Sequence, residues 1–96
     1  MARQAKRLVK QVFSFNAPEA TRVELAGDFT EWQKKPIPLK QSNGLWKTTV
    51  ALPSGSYHYR FLVDGEWRDD PACPLRTPNP FGTENSVVVI TTAGAR

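Results

Sequence analysis

Hydrophobic and polar positions alternate along most of this chain with a period of two, the spacing of a strand that buries one face. Val9, Gln11, Phe13 and Phe15 alternate with Lys10, Val12 and Ser14, which predicts a strand over 9–15. Val23 and Leu25 alternate with Arg22 and Glu24 in a second. Trp46, Thr48, Val50 and Leu52 share one side of a long strand, with Leu45, Lys47, Thr49 and Ala51 on the other. Pro53-Ser54-Gly55 is a turn signal. Beyond it Tyr57, Tyr59, Phe61 and Val63 line one face, and Ser56, His58, Arg60 and Leu62 the opposite one. Asp64-Gly65 marks a tight hairpin with Trp67 just past it, and Ser86 to Thr91 is a final β-branched strand. Pro36 to Leu39 reads as an edge piece at most, because proline cannot donate to a ladder. Residues 27–32 and the proline-rich 69–84 read as loops, and no stretch has a convincing helical period. About seven short strands at this spacing predict an all-β, antiparallel sandwich.

The 96 residues suffice for one domain with a modest core. The formal net charge of +4 is concentrated: Arg3, Lys6, Arg7 and Lys10 meet no acid before Glu19, and from residue 11 onward basic and acidic residues cancel. A neutral body argues against a nucleic-acid groove, which needs a basic face. The expected organisation is a basic flexible tail over 1–8, the sandwich over 9–91 and a short flexible tail over 92–96. No apolar run reads as a signal peptide or approaches the length of a membrane span, so no membrane partner is expected. With Cys73 as the sole cysteine there is no intrachain disulfide, and the cytoplasm is the default expectation.

Candidate chemistry is sparse. One His and one Cys are too few for an ordinary His/Cys metal site, and neither a metal nor a cofactor is expected. His58, mid-strand between tyrosines, reads as a half-buried sheet residue. Cys73 has no adjacent base to activate it. Asp69-Asp70 reads as turn chemistry, and the glycines are isolated turn residues rather than a phosphate loop. The chain is expected not to be an enzyme.

The tryptophans are more informative. Trp46 shares a strand face with Thr48, Val50 and Leu52 and is expected in the core. Trp32 and Trp67 sit in or beside loops with charged or polar neighbours, Glu31 and Gln33 around one, Glu66 and Arg68 around the other. The pattern alone leaves open whether these two pack or bind. An exposed pair would suit carbohydrate: the C–H face of a pyranose lies on an indole, and its hydroxyls need partners such as Arg60 and Asn85. Nucleic-acid bases also stack on tryptophan, but they require the basic groove that the body lacks.

Four segments carry a family resemblance: Val23 to Trp32, Leu52 to Trp67, Asp70-Pro71, and Asn79 to Val88. In that order and spacing, over about residues 12–90, the chain resembles the carbohydrate-binding modules of family 48. That family includes the glycogen-binding domain of the AMP-activated protein kinase β subunit and the early-set N-terminal domains of isoamylases and glycogen branching enzymes. The resemblance implies an immunoglobulin-like (early-set) sandwich that binds glycogen, starch, maltooligosaccharides or cyclodextrin without catalysis. By the same resemblance Trp32 and Trp67 are the stacking platforms. Arg60 stands where the kinase domain has a hydroxyl-binding lysine, and Phe81 where it has a loop leucine that projects against the sugars. Thr83 and Asn85 match positions that hydrogen-bond the glucan, while Glu84 replaces an apolar residue. The implied companions are a glucan-metabolising enzyme or a kinase subunit. Two other readings stand beside this one: a protein-interaction scaffold with a vestigial sugar site, and an accessory domain of a glucan-processing enzyme.

Overall fold

The computed structural model describes residues 7–91; of the tails expected over 1–8 and 92–96, residues 1–6 and 92–96 lie outside the described residues. Among the described residues nine strand segments follow one another: β1 Val9–Asn16, β2 Val23–Gly27, β3 Ile37–Pro38, β4 Lys40–Ser42, β5 Leu45–Leu52, β6 Gly55–Val63, β7 Glu66–Arg68, β8 Arg76–Pro78 and β9 Glu84–Ile90. They form two antiparallel sheets. The smaller has the order β1-β5-β4, and the larger β3-β2-β6-β9-β8 with β7 added to β6. The helical turns among the described residues are two single 3₁₀ turns, Asp28–Thr30 and Trp32–Lys34.

β6 is the spine of the larger sheet. One edge pairs with β2, from Tyr59 opposite Gly27 to Val63 opposite Val23. The other edge is divided: Gly55 to Tyr59 pair with β9, and Phe61 to Val63 with β7. The division follows from the hairpin between β6 and β7. Asp64 and Gly65 both have left-handed backbones (φ 51° and 85°), which match the twist of a two-residue turn. The Asp64 carboxylate accepts the N–H groups of Thr21 (2.9 Å) and Arg22 (2.8 Å), tying the hairpin to the start of β2. β7 then pairs for three residues before the chain leaves, which frees the rest of the β6 edge for β9.

The alternation expected from the sequence is met. Phe13, Trp46 and Leu52 from the smaller sheet enclose a core with Val23, Leu25, Tyr59, Phe61, Val63 and Ile90 from the larger. Aromatic rings bridge the two sheets, Phe13 to Tyr59 at 5.0 Å between centroids and Phe15 to Phe61 at 5.1 Å. Phe29, from the loop after β2, completes the ladder 5.7 Å from Phe13 and 5.9 Å from Tyr57.

Three details differ from the pattern-based expectation. Asn43-Gly44 forms a second two-residue hairpin (φ 53° and 86°) between β4 and β5; the three β4 residues are all exposed and show no alternation. Residues 69–84 are not irregular throughout, since β8 pairs with β9. The last strand also begins at Glu84 instead of Ser86. The prolines obscured these edges: Pro38 and Pro78 each lie in an edge strand, where a missing N–H costs little.

Trp46 lies in the core, 8% exposed, and its Nε1–H donates to the Ala17 carbonyl at 2.8 Å. Trp46→Ala is expected to cost about 3–5 kcal/mol, a large share of a small domain's stability. Thermal or urea unfolding measures it, and a loss below about 1 kcal/mol would contradict this packing.

Candidate functional site

The inward aromatic run of β6 fixes what faces out. Tyr59 and Phe61 are buried, so Arg60 and Leu62 project from the other side of the larger sheet. Leu62 pairs with Trp67, which brings that indole onto the same outer face. Tyr59 pairs with Ser86, so one step further along the ladder Arg60 and Asn85 are neighbours on it. Trp67 is 37% exposed, and Trp32 is half-buried beside it. Their ring centroids are 6.3 Å apart with planes at 62°, an edge-to-face pair. Together they make an angled aromatic surface rather than two coplanar plates.

Trp32 is held there by a turn with a left-handed backbone. Glu31 and Trp32 both have φ 55°, a conformation that costs a bulky residue about 1–2 kcal/mol. The neighbours hold it. Phe29 packs into the core ladder, and the Asp28 carboxylate accepts the His58 backbone N–H at 2.8 Å. The buried Thr30 hydroxyl accepts the Gly27 N–H (2.9 Å) and donates to the Trp32 carbonyl (2.8 Å). Gly27 is required by close approach: a Cβ there would lie 2.5 Å from the His58 carbonyl oxygen.

Arg60 is a strut. Its Nε and Nη2 both reach Asp69 Oδ1 at 3.1 Å, its Nη1 lies 3.4 Å from Thr83 Oγ1, and its Cζ is 5.7 Å from the Trp67 ring centroid. With its side chain only 14% exposed, the guanidinium is shared among these groups instead of extending freely into solvent. Arg76 adds a second cation to Asp69 (3.7 Å) and approaches Glu84 (4.0 Å), so the charges around the site compensate one another. Such a surface offers little to a phosphate and much to a neutral polar ligand.

The remaining candidates come from the 79–85 segment. Phe81 is 87% exposed, Thr83 is exposed, and Asn85 is 8% exposed with its Oδ1 accepting from Asn79 Nδ2 at 2.9 Å. Contacts thus run in sequence from Trp32 to Trp67, Arg60 and Thr83, and through Asn79 to Asn85. Phe81 joins them through its backbone N–H, which Asn79 Oδ1 accepts at 3.0 Å. Thr30, Asp69 and Asn79 were not singled out for the site by pattern. Their signal was available in retrospect, since all three are short polar residues in turns with side chains suited to bonding nearby backbone.

The other chemical candidates hold structural positions. Asp70 is buried; its Oδ2 accepts the Tyr59 hydroxyl at 2.6 Å and its Oδ1 the Ala72 N–H at 3.0 Å, a turn-forming arrangement. Burial first, then the bond to Asp70, pushes the Tyr59 phenol far above its ordinary range. Cys73 Sγ lies 3.3 Å from the carbonyls of Leu75 and Val87. Among the described residues no group of three or more His, Cys, Asp or Glu side chains could hold a metal ion, and no helix is long and apolar enough to cross a membrane.

Residues 9–95 match the model of the glycogen recognition site of AMP-activated protein kinase. The chain belongs to this family. Among its relatives is the 5'-AMP-activated protein kinase subunit beta-1 of Sus scrofa, 38% identical over 68 residues, which are 71% of this chain and 53% of the relative. The chloroplastic phosphoglucan phosphatase LSF1 of Arabidopsis thaliana is 34% identical over 88% of this chain and 14% of its own length. The chloroplastic PTST homolog 2 of the same plant is 33% identical over 93% of this chain and 16% of its own. This chain therefore spans about half of the first relative and a small part of the other two.

In this member of the glycogen-recognition family the Thr30 hydroxyl is one of the groups that hold the Trp32 turn. Thr30→Val keeps the shape but leaves the Gly27 N–H and the Trp32 carbonyl without that partner. It is expected to destabilise the domain by about 1–3 kcal/mol. Urea unfolding reads the loss, and an unchanged midpoint would show that the hydroxyl does not hold the turn.

Proposed function

We propose that this domain binds α-1,4-linked glucans of the glycogen and starch type, without catalysis, on the face formed by Trp32, Arg60, Trp67, Phe81, Thr83 and Asn85. The observation that carries the reading is the angled, partly exposed pair Trp32–Trp67 on a charge-compensated sheet face, in a chain of the glycogen-recognition family. A glucose ring offers each indole a face of C–H groups, and its hydroxyls meet polar side chains at the edge. Successive α-1,4-linked rings turn relative to one another. Two indole planes at 62° suit such a curved chain better than a flat ribbon of coplanar sugars. Asn85 and Thr83 supply hydrogen bonds beside the rings, Phe81 supplies an apolar contact, and Arg60 braces Trp67 and Thr83.

Relatives of this chain bear the names of a kinase subunit and a phosphoglucan phosphatase. This supports a role in which the domain holds a companion enzyme or kinase subunit on glucan, the chemistry being the companion's. The scaffold reading, with a vestigial site, explains less: it gives no reason for a left-handed backbone at Trp32.

The surface is shallow and solvated, so the surplus free energy is small. Dissociation constants for maltoheptaose or β-cyclodextrin are expected between micromolar and millimolar, about 4–8 kcal/mol. Trp32→Ala and Trp67→Ala should each weaken binding about tenfold or more, the worth of a lost stacking contact of about 1–3 kcal/mol. Affinity should hold between about 50 and 200 mM salt, because a neutral sugar releases no counterions. Titration calorimetry measures all three. Binding that survives both substitutions, or collapses with salt, would overturn this assignment.

A further inference from the structure

We infer that Asn79 is a positioning residue for the glucan face: it fixes the loop that presents Phe81 and sets which end of the Asn85 amide meets the sugar. The inference rests on the glucan reading above. Its basis is the density of bonds on one side chain. Asn79 Oδ1 accepts the N–H groups of Phe81 (3.0 Å) and Thr83 (3.2 Å). Its Nδ2 donates to Thr83 Oγ1 and to Asn85 Oδ1, both at 2.9 Å. Its backbone N–H donates to the Thr83 carbonyl (3.0 Å), and its carbonyl accepts the Gly82 N–H (3.3 Å). Three of the six candidate residues therefore hang on Asn79, and Thr83 relays it to Arg60.

Two consequences follow. Phe81 is 87% exposed, so packing does not hold it; its place is set by the backbone that Asn79 ties, together with the left-handed turn at Gly82 (φ 84°). A loop already ordered in the free domain loses less conformational entropy when a sugar binds. Asn85, in turn, is buried and its oxygen already accepts from Asn79, which leaves both N–H groups of its NH₂ to offer a ligand. Asn79 thereby makes Asn85 a donor to hydroxyl oxygens. This assigns Asn79 an effect on affinity with no contact to the sugar.

The test is titration calorimetry of the full chain with β-cyclodextrin and maltoheptaose, alongside thermal melts. The variants are Asn79→Ala, Asn79→Asp, Phe81→Ala and the double Asn79→Ala/Phe81→Ala. Asn79→Ala is expected to weaken binding about tenfold, as freeing one or two side chains or loop residues would. In the Phe81→Ala background the same change should cost less than about threefold, since most of its effect passes through Phe81. The melting temperature should move little, because Phe81, Gly82 and Thr83 are all exposed. Asn79→Asp keeps the side-chain oxygen that accepts the Phe81 and Thr83 N–H groups but removes the donor to Asn85, so affinity should fall while the loop turn is retained. A merely structural role would lower the melting temperature and leave the Phe81 coupling at zero. If the unaltered chain binds and Asn79→Ala binds within twofold of it, or loses equally in both backgrounds, this inference fails and the glucan reading stands. If the unaltered chain binds neither sugar, both fail together.

Discussion

The register of β6 against its neighbours is the constraint on which the rest depends. Its inward residues Tyr57, Tyr59, Phe61 and Val63 bury against the smaller sheet, and its outward residues Arg60 and Leu62 build the candidate site. Because the side-chain period of a strand is two, a slip of one residue would exchange these sets, sending Arg60 into the core and the aromatics to solvent. Burial of Phe61 between β2 and the Phe15 ring therefore fixes the core and the site together. The Asp64-Gly65 hairpin and the close crossing at Gly27 reinforce the same register.

On that frame the site is assembled from segments with little packing of their own. Trp32 adopts a backbone that a large side chain disfavours and is kept there by Phe29, Thr30 and Asp28. The 79–85 segment is kept by the bonds of Asn79, and Trp67 is braced by Arg60, itself tied to Asp69. Stacking and solvent-exposed hydrogen bonds each contribute modestly to binding, so a weak-binding surface gains most from being rigid before the ligand arrives. Ordered polar turns provide that rigidity where a 96-residue chain has no further core to spare.

Much of this was legible in the sequence because alternation reports burial directly. Trp46 was assignable to the core and Tyr59 and Phe61 to one strand face from period alone, and the Asp64-Gly65 hairpin from its turn chemistry. The short edge strands β4 and β8 were not, because three exposed residues or a proline-bearing segment carry no periodic signal. The relation of Trp32 to Trp67 was not legible either. They are 35 positions apart, and their contact depends on the left-handed turn at Glu31–Trp32, which non-glycine residues do not announce. Arg60 was a candidate by resemblance, but its bonds to Asp69 and Thr83 were not legible; cross-strand and loop partners of this kind are set by tertiary placement and leave no local trace.

The central claim is that the tryptophan face, and not the core or the basic segment, takes the glucan. The three indole N–H signals of an ¹⁵N-labelled sample report on it separately during titration with maltoheptaose. Trp46 donates to the Ala17 carbonyl inside the fold, so its signal should stay in place, while the signals of Trp32 and Trp67 shift with a common dissociation constant. Stationary signals from Trp32 and Trp67 while binding is otherwise evident, or a shift confined to Trp46, would contradict the account.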